Sequence, residues 1–312
     1  MVRDKELPKT LQQAIKHFSD DLTCINLVAS LRWTDGVAVC PRCENTETSF
    51  LSTRKIWKCK ACKKQFSVKV GTIFEDSPIG LDKWLMAMWL ITNAKNGISS
   101  YEIHRSIGVT QKTAWFMLHR IRLAMETGSI VKLSGSVEVD ETFIGGKAKN
   151  MHKHKREAII KGRGSVGKTA VFGALERKGR VLAKVIESTD KKTLHTEVKS
   201  KVEKGSDLFT DEWRSYRGLD EDYIHEVINH SIEYVRGNVH TNGIENFWAL
   251  LKRTLKGTYV SVEPFHLGRY LAEQTFRFNE RKGNDKERFL GVLKAVSGKR
   301  LTYDELRGYQ TS

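Results

Sequence analysis

Two stretches decide the fold of the second half of the chain: Ser136-Val-Glu-Val-Asp140 and Ser206-Asp-Leu-Phe-Thr-Asp211. Each is a β-forming run that ends in an aspartate. Open α/β sheets place their reactive groups at the carboxyl ends of strands, so we expect both carboxylates at one edge of a sheet. Asp140 and Asp211 are therefore candidate catalytic residues, although an aspartate after a strand also serves as a turn residue or a helix cap.

The segments around these runs predict the rest of this region. The expected elements are a strand at residues 170–176, a strand at 180–186, a helix at 192–202, a crossover at 219–235 and helices from residue 242 onward. This order predicts an α/β fold in which helices pack on a mixed sheet.

A third acid, Glu245, lies in the segment from His240 to Arg253, where Asn242 is expected to cap a helix. Glu245, Trp248 and Lys252 then share one helical face. Three carboxylates gathered together repel one another, and hard oxygen ligands favour Mg²⁺ or Mn²⁺. Two such ions can activate water and stabilise the leaving oxygen of a phosphodiester. The alternative for Glu245 is a solvated helical acid.

Four cysteines form a C-x2-C-x15-C-x2-C pattern: Cys40, Cys43, Cys59 and Cys62. This spacing predicts a structural zinc site with four thiolate ligands and no position left for water. No secretion signal is visible, which argues against disulfides. Cys24 lies outside the pattern and is expected in the core.

The segment from Cys40 to Val70 carries eight Lys or Arg and two Glu, a net charge of +6. Short strands are expected between the cysteine pairs, with Trp57 and Phe66 packed on the metal knuckles. The pattern predicts a zinc ribbon, which is too small to fold without its metal. A basic ribbon either contacts nucleic acid or serves as a protein-docking module.

Residues 5–30 are expected to be helical, with an apolar face formed by Leu11, Ile15, Phe18 and Leu22. Asp82 is expected to cap a helix that runs from Trp84 to Ile91. That apolar stretch is too short to span a bilayer.

Residues 99–125 predict a helix, a tight turn and a second helix. Ser99 and Glu102 have capping-box spacing, Gly108 ends the first helix and Thr110 caps the second. The second helix is expected to bury Ala114, Met117, Leu118 and Ile121 and to expose Gln111, Lys112, Arg120 and Arg122. Lys112 and Arg120 are therefore candidate DNA contacts of a helix-turn-helix. The alternative is an ordinary helical hairpin.

The charge balance indicates a polyanionic partner, because 53 Lys and Arg against 37 acids give a net charge of +16. Residues 145–168 contribute eight basic residues and one acid and predict a mobile basic loop. The N-terminus has no apolar signal region. We therefore expect a nucleic-acid-binding protein of the cytoplasm, neither secreted nor inserted in a membrane.

The segment Gly162-Arg-Gly-Ser-Val-Gly167-Lys168-Thr169 fits the P-loop pattern. A P-loop needs a buried strand before it and a helix after it, whereas this segment precedes an expected strand. We therefore expect no nucleotide cofactor, and we interpret Lys168 as part of a basic loop that touches DNA.

Taken together, these motifs resemble a DDE transposase of a bacterial-type insertion sequence with an N-terminal zinc ribbon. The resemblance covers about residues 20–285. It is carried by the four cysteines and by the segments 137–146, 162–169, 209–211 and 240–253. It implies an RNase H-like core that cuts and joins DNA at inverted-repeat ends with two magnesium or manganese ions. The implied metal ligands are Asp140, Asp211 and Glu245.

The resemblance also implies that Lys252, seven residues after Glu245, contacts DNA phosphate near the cut. His240 either positions DNA or belongs to the start of the helix, and Glu138 and Glu141 are interpreted as surface acids. The implied partners are inverted-repeat and target duplex DNA, bound by a homodimer or higher oligomer associated with the nucleoid.

The expected domains are an N-terminal helical segment (1–34), a zinc ribbon (35–75), a helix-turn-helix-like region (80–130), an RNase H-like catalytic domain (134–285) and a C-terminal helical tail (286–312). Three alternatives remain: a non-catalytic DNA-binding regulator, a P-loop ATPase, and a nuclease with the same core that does not join strands.

Overall fold

The computed structural model describes residues 7–126, 131–146, 152–159, 166–211, 214–228 and 240–308. Some predictions fall at least partly outside these described residues. They concern residues 5–6, much of the basic segment 145–168, part of the glycine-rich segment 162–169, and residues 229–235. The chain divides into two compact units, Met1–Thr127 with Lys282–Ser312 and Gly128–Arg281.

The regular elements, in chain order, are α1 (Leu11–Phe18), α2 (Asp21–Arg32), β1 (Thr48–Leu51), β2 (Ile56–Cys59), β3 (Gln65–Phe66), α3 (Leu81–Asn93), α4 (Ser100–Ile107), α5 (Gln111–Met125), β4 (Ser136–Ile144), α6 (Lys153–Ile159), β5 (Thr169–Glu176), β6 (Val181–Ile186), α7 (Lys191–Lys201), β7 (Asp207–Asp211), β8 (Ile224–Ile228), α8 (Asn242–Thr254), α9 (Leu267–Asn279), α10 (Asp285–Lys294) and α11 (Tyr303–Leu306).

The N-terminal helical segment is two helices, because Asp20 caps α2 and interrupts the run. The apolar face predicted for it is wrong except at Phe18. Leu11, Ile15 and Leu22 are 46%, 55% and 40% exposed. The two helices bury a different set: Ala14, Phe18, Cys24, Ile25, Leu27 and Val28.

The predicted order of helix, tight turn and helix is confirmed for α4 and α5. Ser99 and Glu102 form a reciprocal capping box, Gly108 ends α4 in the left-handed conformation with φ +62°, and the Thr110 side chain caps α5. The cap predicted for α3 is wrong. Gly80 is the N-cap, and Asp82 lies inside the first turn.

Arg120 and Arg122 were expected to be exposed, and this expectation is wrong, since they are 4% and 1% exposed. The Arg120 guanidinium donates to the carbonyl oxygens of Ile73, Glu75 and Leu301 at 2.6 to 3.0 Å. The second half of α5 is buried on nearly every side, so its basic residues serve the fold. Arg120 is thereby removed from the candidate DNA contacts.

The C-terminal residues of the chain belong to the same unit as its N-terminal helices. Phe289 of α10 packs against Phe18 of α1 and Trp89 of α3, with ring centroids 5.3 and 5.5 Å apart. The helical core of this unit is therefore closed by residues far apart in the sequence.

The ribbon is a three-stranded antiparallel sheet in the order β1-β2-β3. The short strands predicted between the cysteine pairs are confirmed as β1 and β2, and β3 follows the second pair. Trp57 and Phe66 pack on each other and on Trp33, which is the residue after α2. This aromatic cluster gives the small sheet its apolar contact with α2.

The second unit is built on a five-stranded mixed sheet in the order β6-β5-β4-β7-β8. β4, β5 and β6 are antiparallel, whereas β7 and β8 run parallel to β4. Helices cover both faces, which confirms the predicted RNase H-like core.

One face of this sheet packs against α7, and the other packs against α8 and α9. Val137 and Val139 of β4 point to the α7 side. The alternating residues Glu138 and Asp140 therefore point to the α8 side. The hydrogen bonds that both residues make with α8 agree with this assignment.

The strand β8 lies in a region that was expected to be a crossover without a strand. It forms one edge of the sheet, where Ile224 and Val227 are 58% and 45% exposed. Because an edge strand buries few side chains, its sequence lacks the apolar pattern that marks the inner strands. None of the helices in the described ranges is long and apolar enough to cross a membrane.

Candidate functional site

The four predicted zinc ligands lie together. The Sγ atoms of Cys40, Cys43, Cys59 and Cys62 are all within 4.8 Å of one another. The Sγ atoms of Cys40 and Cys62 are 3.7 Å apart, and those of Cys43 and Cys59 are 3.6 Å apart. Four sulfurs at this spacing can surround a single tetrahedral ion.

The two cysteine knuckles have the same backbone design. The residue after each pair, Glu44 or Lys63, has positive φ, at +57° and +60°. The first cysteine of each pair donates its backbone N–H across the turn, Cys40 to Asn45 and Cys59 to Lys64, both at 3.0 Å. This repeated turn aims both sulfurs of a pair at the same point. The donor set and its geometry therefore fit a structural zinc ion.

Asp140 and Asp211 belong to two adjacent parallel strands. Asp211 is the last residue of β7, as predicted. The prediction that Asp140 ends its strand is wrong, because β4 continues to Ile144 and stays paired with β5 up to that residue. The register of β4 and β7 pairs Ser136 with Asp207 and Glu138 with Phe209. The pairing ends at Glu138 and Phe209, and the same register continued by two residues sets Asp140 opposite Asp211. Burial, followed by the negative charges of Asp211 and Glu245, raises the pKa of the Asp140 carboxyl to about 6.

Glu245 comes from the first turn of α8 and is exposed. Its Oε1 accepts a hydrogen bond from Thr241 Oγ1 at 3.1 Å. Among the described residues, the cysteines are the only group of three or more potential ligands within 4.8 Å of one another. The three carboxylates are thus electrostatically coupled but not gathered to ligand spacing.

Trp248 connects α8 directly to Asp140. Its indole Nε1–H donates to Asp140 Oδ2 at 3.0 Å, and the side chain is 3% exposed. The indole lies over Gly173 of β5, the residue paired with Asp140. A Cβ at Gly173 would lie 2.5 Å from the Trp248 ring, so only glycine leaves room for it.

Glu138 was interpreted as a surface acid, and this is wrong, since it is 1% exposed. Its Oε2 accepts the backbone N–H of Ile244 at 2.9 Å in the first turn of α8, and its Oε1 accepts from Arg177 Nε at 2.9 Å. The Arg177 side chain also donates to the carbonyl oxygen of His240. A carboxylate on β4 therefore fixes the start of the helix that carries Glu245.

This arrangement replaces the cap that was predicted at Asn242. The structural N-cap is Thr241, whose side chain makes no capping bond to the backbone. His240 lies at the start of α8 with its Nδ1 3.3 Å from Glu138 Oε1. The sequence does contain a signal for these contacts of Glu138. An acid between Val137 and Val139 on an inner strand indicates a buried carboxylate that needs hydrogen-bond donors.

Glu141 points to the opposite face of β4 and is half-buried near Tyr216. Burial raises the pKa of Glu141 to about 8, against a hydrogen bond from Tyr216 that lowers it. Burial and the adjoining Glu141 raise the pKa of Tyr216 well above its ordinary value. The prediction that Glu141 is a surface acid is therefore wrong as well.

These pKa shifts predict how stability depends on pH. The unfolded chain releases the Asp140 proton near pH 3.8 and the Glu141 proton near pH 4.5, whereas the folded chain holds them to about pH 6 and 8. Because the folded state then binds more protons, the free energy of unfolding falls as pH rises through these intervals. The comparison is with a double variant that carries both Asp140→Asn and Glu141→Gln. In buffer free of Mg²⁺ and Mn²⁺, the free energy of unfolding of wild type should fall between pH 5 and 8 relative to that of the double variant.

Urea unfolding of the zinc-loaded proteins at several pH values measures this difference. Both proteins carry the same cysteines, so any effect of pH on the ribbon cancels in the comparison. Parallel stability curves for the two proteins would contradict the pKa assignments.

Three of the predicted DNA-contacting lysines are exposed: Lys112 at the start of α5, Lys168 before β5 and Lys252 in α8. The Lys112 ammonium lies 4.8 Å from the centroid of the Tyr303 ring. Lys252 lies nearly two turns beyond Glu245 on α8, so both are on the same side of the helix. β5 follows Lys168 directly, as predicted for a loop that leads into a strand.

Comparison with known proteins supports the same two regions. Residues 132–279 match the model of the ISXO2-like transposase domain, and residues 19–65 match that of the transposase zinc-ribbon domain. A protein of the transposable element ISH50 from Halobacterium salinarum is 29% identical over 255 residues, which cover 77% of this chain and 85% of the relative. A transposase-like protein from Haemophilus influenzae is 35% identical over 103 residues, which cover 33% of this chain and 83% of the relative.

The matched regions contain both sites described above. The zinc-ribbon match ends at residue 65 and includes the four cysteines. The transposase-domain match includes the whole five-stranded sheet, α8 and α9. The chain therefore belongs to the insertion-sequence transposases, with an ISXO2-like transposase domain that follows a transposase zinc ribbon.

Proposed function

We propose that this chain cuts phosphodiester bonds at the inverted-repeat ends of an insertion sequence and joins the freed 3′-hydroxyl to target DNA. The reaction depends on Mg²⁺ or Mn²⁺ held by Asp140, Asp211 and Glu245. The observation that carries the proposal is the register of the inner parallel strands β4 and β7, which sets Asp140, in the middle of β4, opposite Asp211, the last residue of β7.

The donor set fits a divalent cation. Asp140 and Asp211 are half-buried carboxylates on neighbouring strands. Burial, and then repulsion from Asp211, raises the pKa of Asp140. A cation between them offsets both charges, and carboxylate oxygens are the ligands that magnesium and manganese prefer. Glu245, the third acid, extends this negative region from α8.

When bound, the cations supply Lewis acidity to the phosphodiester and lower the pKa of the attacking water or hydroxyl. The chain supplies the alignment. Asp140 and Asp211 are held by the sheet register, and the Trp248 indole orients Asp140. Glu245 depends on the anchoring of α8 by Glu138.

Duplex DNA is the proposed substrate and partner. Lys252, Lys112 and Lys168 are exposed and available to contact phosphates. A contact between His240 and DNA stays a prediction, since its side chain also lies beside Glu138. Joining two inverted-repeat ends needs two active sites, so a homodimer or higher oligomer on nucleoid DNA is part of the proposal.

A cleavage and joining assay tests this function. A DNase footprint on the flanks of the source gene first identifies the ends that the protein binds. Duplexes carrying those ends are then labelled on the strand whose 3′ end is joined to target DNA. They are incubated with the protein and a target plasmid, with and without Mg²⁺. The proposal predicts Mg²⁺-dependent nicking at the end and transfer of the label into the plasmid.

Nicking without transfer would replace the proposal with a nuclease that has the same core. DNA binding without nicking at a footprinted end would favour a non-catalytic DNA-binding regulator. The adjoining Asn246 is the competing candidate for the third position, since its side-chain oxygen is also a possible ligand. A Glu245→Gln variant is therefore compared with Asn246→Ala, and loss of activity only in the latter would move that role to Asn246.

A further inference from the structure

Trp248 has a charged hydrogen-bond partner. A buried indole N–H usually finds an acceptor. For Trp84 in this chain the acceptor is neutral, since its Nε1–H donates to Ser77 Oγ at 3.0 Å. Trp248 donates instead to Asp140 Oδ2, one of the carboxylates assigned to the cation site.

The indole is held in this position from two sides. Below it, Gly173 lies opposite Asp140 and leaves the space that the six-membered ring fills. From the helix side, Glu138 accepts the backbone N–H of Ile244, one turn before Trp248. Gly243 is also close to Glu138, since a Cβ there would lie 2.7 Å from Oε2. The Trp248 ring therefore has little freedom to leave Asp140.

A hydrogen bond to one carboxylate oxygen restricts rotation of that carboxylate. Ligand groups of metal sites are commonly held in this way by neighbouring donors, and loss of such a donor lowers metal affinity by about 10- to 100-fold. The geometry at Asp140 has the same elements: a charged acceptor, a neutral donor with one proton, and a rigid ring that carries it.

We propose that Trp248 is a positioning residue of the cation site, whose indole N–H holds Oδ2 of Asp140 so that Oδ1 is presented to the metal. This inference rests on the proposed function, because it takes Asp140 as a ligand. It adds a role for a residue that otherwise belongs to the apolar contact between α8 and the sheet.

The test uses Trp248→Phe, which keeps an aromatic ring on this face of α8 and removes the N–H group together with the outer ring atoms that lie over Gly173. Trp84→Phe is the matched control, because it also removes a buried indole hydrogen bond but lies in the other compact unit. The two tryptophans are similarly buried, with Trp84 1% and Trp248 3% exposed. Binding of Mn²⁺ to the full-length, zinc-loaded proteins is measured by electron paramagnetic resonance of the free ion, with and without inverted-repeat DNA. Quenching of tryptophan fluorescence by Mn²⁺ is recorded in parallel.

The dissociation constant for Mn²⁺ should be about 10- to 100-fold larger in Trp248→Phe than in wild type, as is usual when a donor to a metal ligand is lost. Trp84→Phe should bind Mn²⁺ as wild type does. Mn²⁺ should also quench a part of the wild-type emission that is missing in Trp248→Phe. A second variant, Gly173→Ala, should weaken Mn²⁺ binding in the same direction, because its methyl group displaces the Trp248 ring.

The controls separate this inference from the function on which it rests. If Asp140→Ala and Asp211→Ala lose Mn²⁺ binding while Trp248→Phe keeps wild-type affinity, the role of Trp248 is overturned and the cation site stands. If wild type binds no Mn²⁺, or the two aspartate variants bind it as wild type does, the cation site and the inference both fail. Equal weakening in Trp84→Phe would reduce the effect to a general loss of stability and overturn the inference.

Discussion

Replacing Asp211 by asparagine is expected to lower Mg²⁺-dependent cleavage of inverted-repeat DNA by about a thousandfold or more, with DNA binding retained. The amide keeps the size of the side chain and loses the charge that the cation needs. A metal ion contributes several kcal/mol of transition-state stabilisation, and each 1.4 kcal/mol is about a factor of ten in rate. Asp140→Asn should have a similar effect, since the two residues lie side by side on β4 and β7.

Asp207 provides a matched control for this prediction. It lies on the same strand as Asp211, at the opposite end, where its Oδ2 accepts a hydrogen bond from Ser136 Oγ at 3.4 Å. Asp207→Asn makes the same chemical change on the same strand and should cleave DNA at nearly the wild-type rate. Initial rates of strand nicking and a gel-shift titration measure both properties. Equal rates in Asp211→Asn and wild type would show that cleavage comes from elsewhere.

Removal of zinc should unfold the ribbon and leave the RNase H-like sheet folded. The ribbon strands contain only ten residues, whereas the free energy of zinc binding in small domains is on the order of 10 kcal/mol. Cys59→Ser removes a buried ligand, and the variant should carry no zinc and show fast amide exchange at residues 48–66.

Cys24→Ala is the control for that change, because Cys24 is also buried but lies outside the ligand set. Its Sγ donates to the carbonyl oxygen of Phe18, and burial raises the pKa of this thiol to about 12. The variant should keep one zinc ion per chain. Zinc content by elemental analysis and hydrogen exchange by mass spectrometry distinguish the two variants. Slow exchange in the metal-free ribbon would contradict the prediction that zinc holds the fold.

Local patterns predict the elements whose signal lies in neighbouring residues. The spacing of the four cysteines predicts a cluster, because a C-x2-C turn can bring two sulfurs together with no help from the rest of the chain. The caps at Ser99 and Thr110 are similar, since each bond joins residues three apart. Paired residues of β4 and β7 are 71 positions apart in the sequence, as in Ser136 and Asp207. Asp140 and Asp211 have the same separation, so they share this register.

Burial is harder to predict, because it depends on what packs against each side of an element. Arg120 has the spacing of an exposed helical residue, yet Ile73, Glu75 and Leu301 supply carbonyl oxygens for its guanidinium. Leu11 and Ile15 have the spacing of a buried face, yet they are exposed. In both cases the deciding neighbours lie outside the helix.

The order of elements and the residue types of both sites are properties of the sequence, because they depend on local spacing and on the chemistry of each side chain. The positions of Glu138, Gly173 and Trp248 around Asp140 depend on contacts between β4, β5 and α8, which are separated by 30 to 110 residues of chain. Such contacts form only when the sheet and its helix pack, since a carboxylate can be buried only where the fold supplies its hydrogen-bond donors.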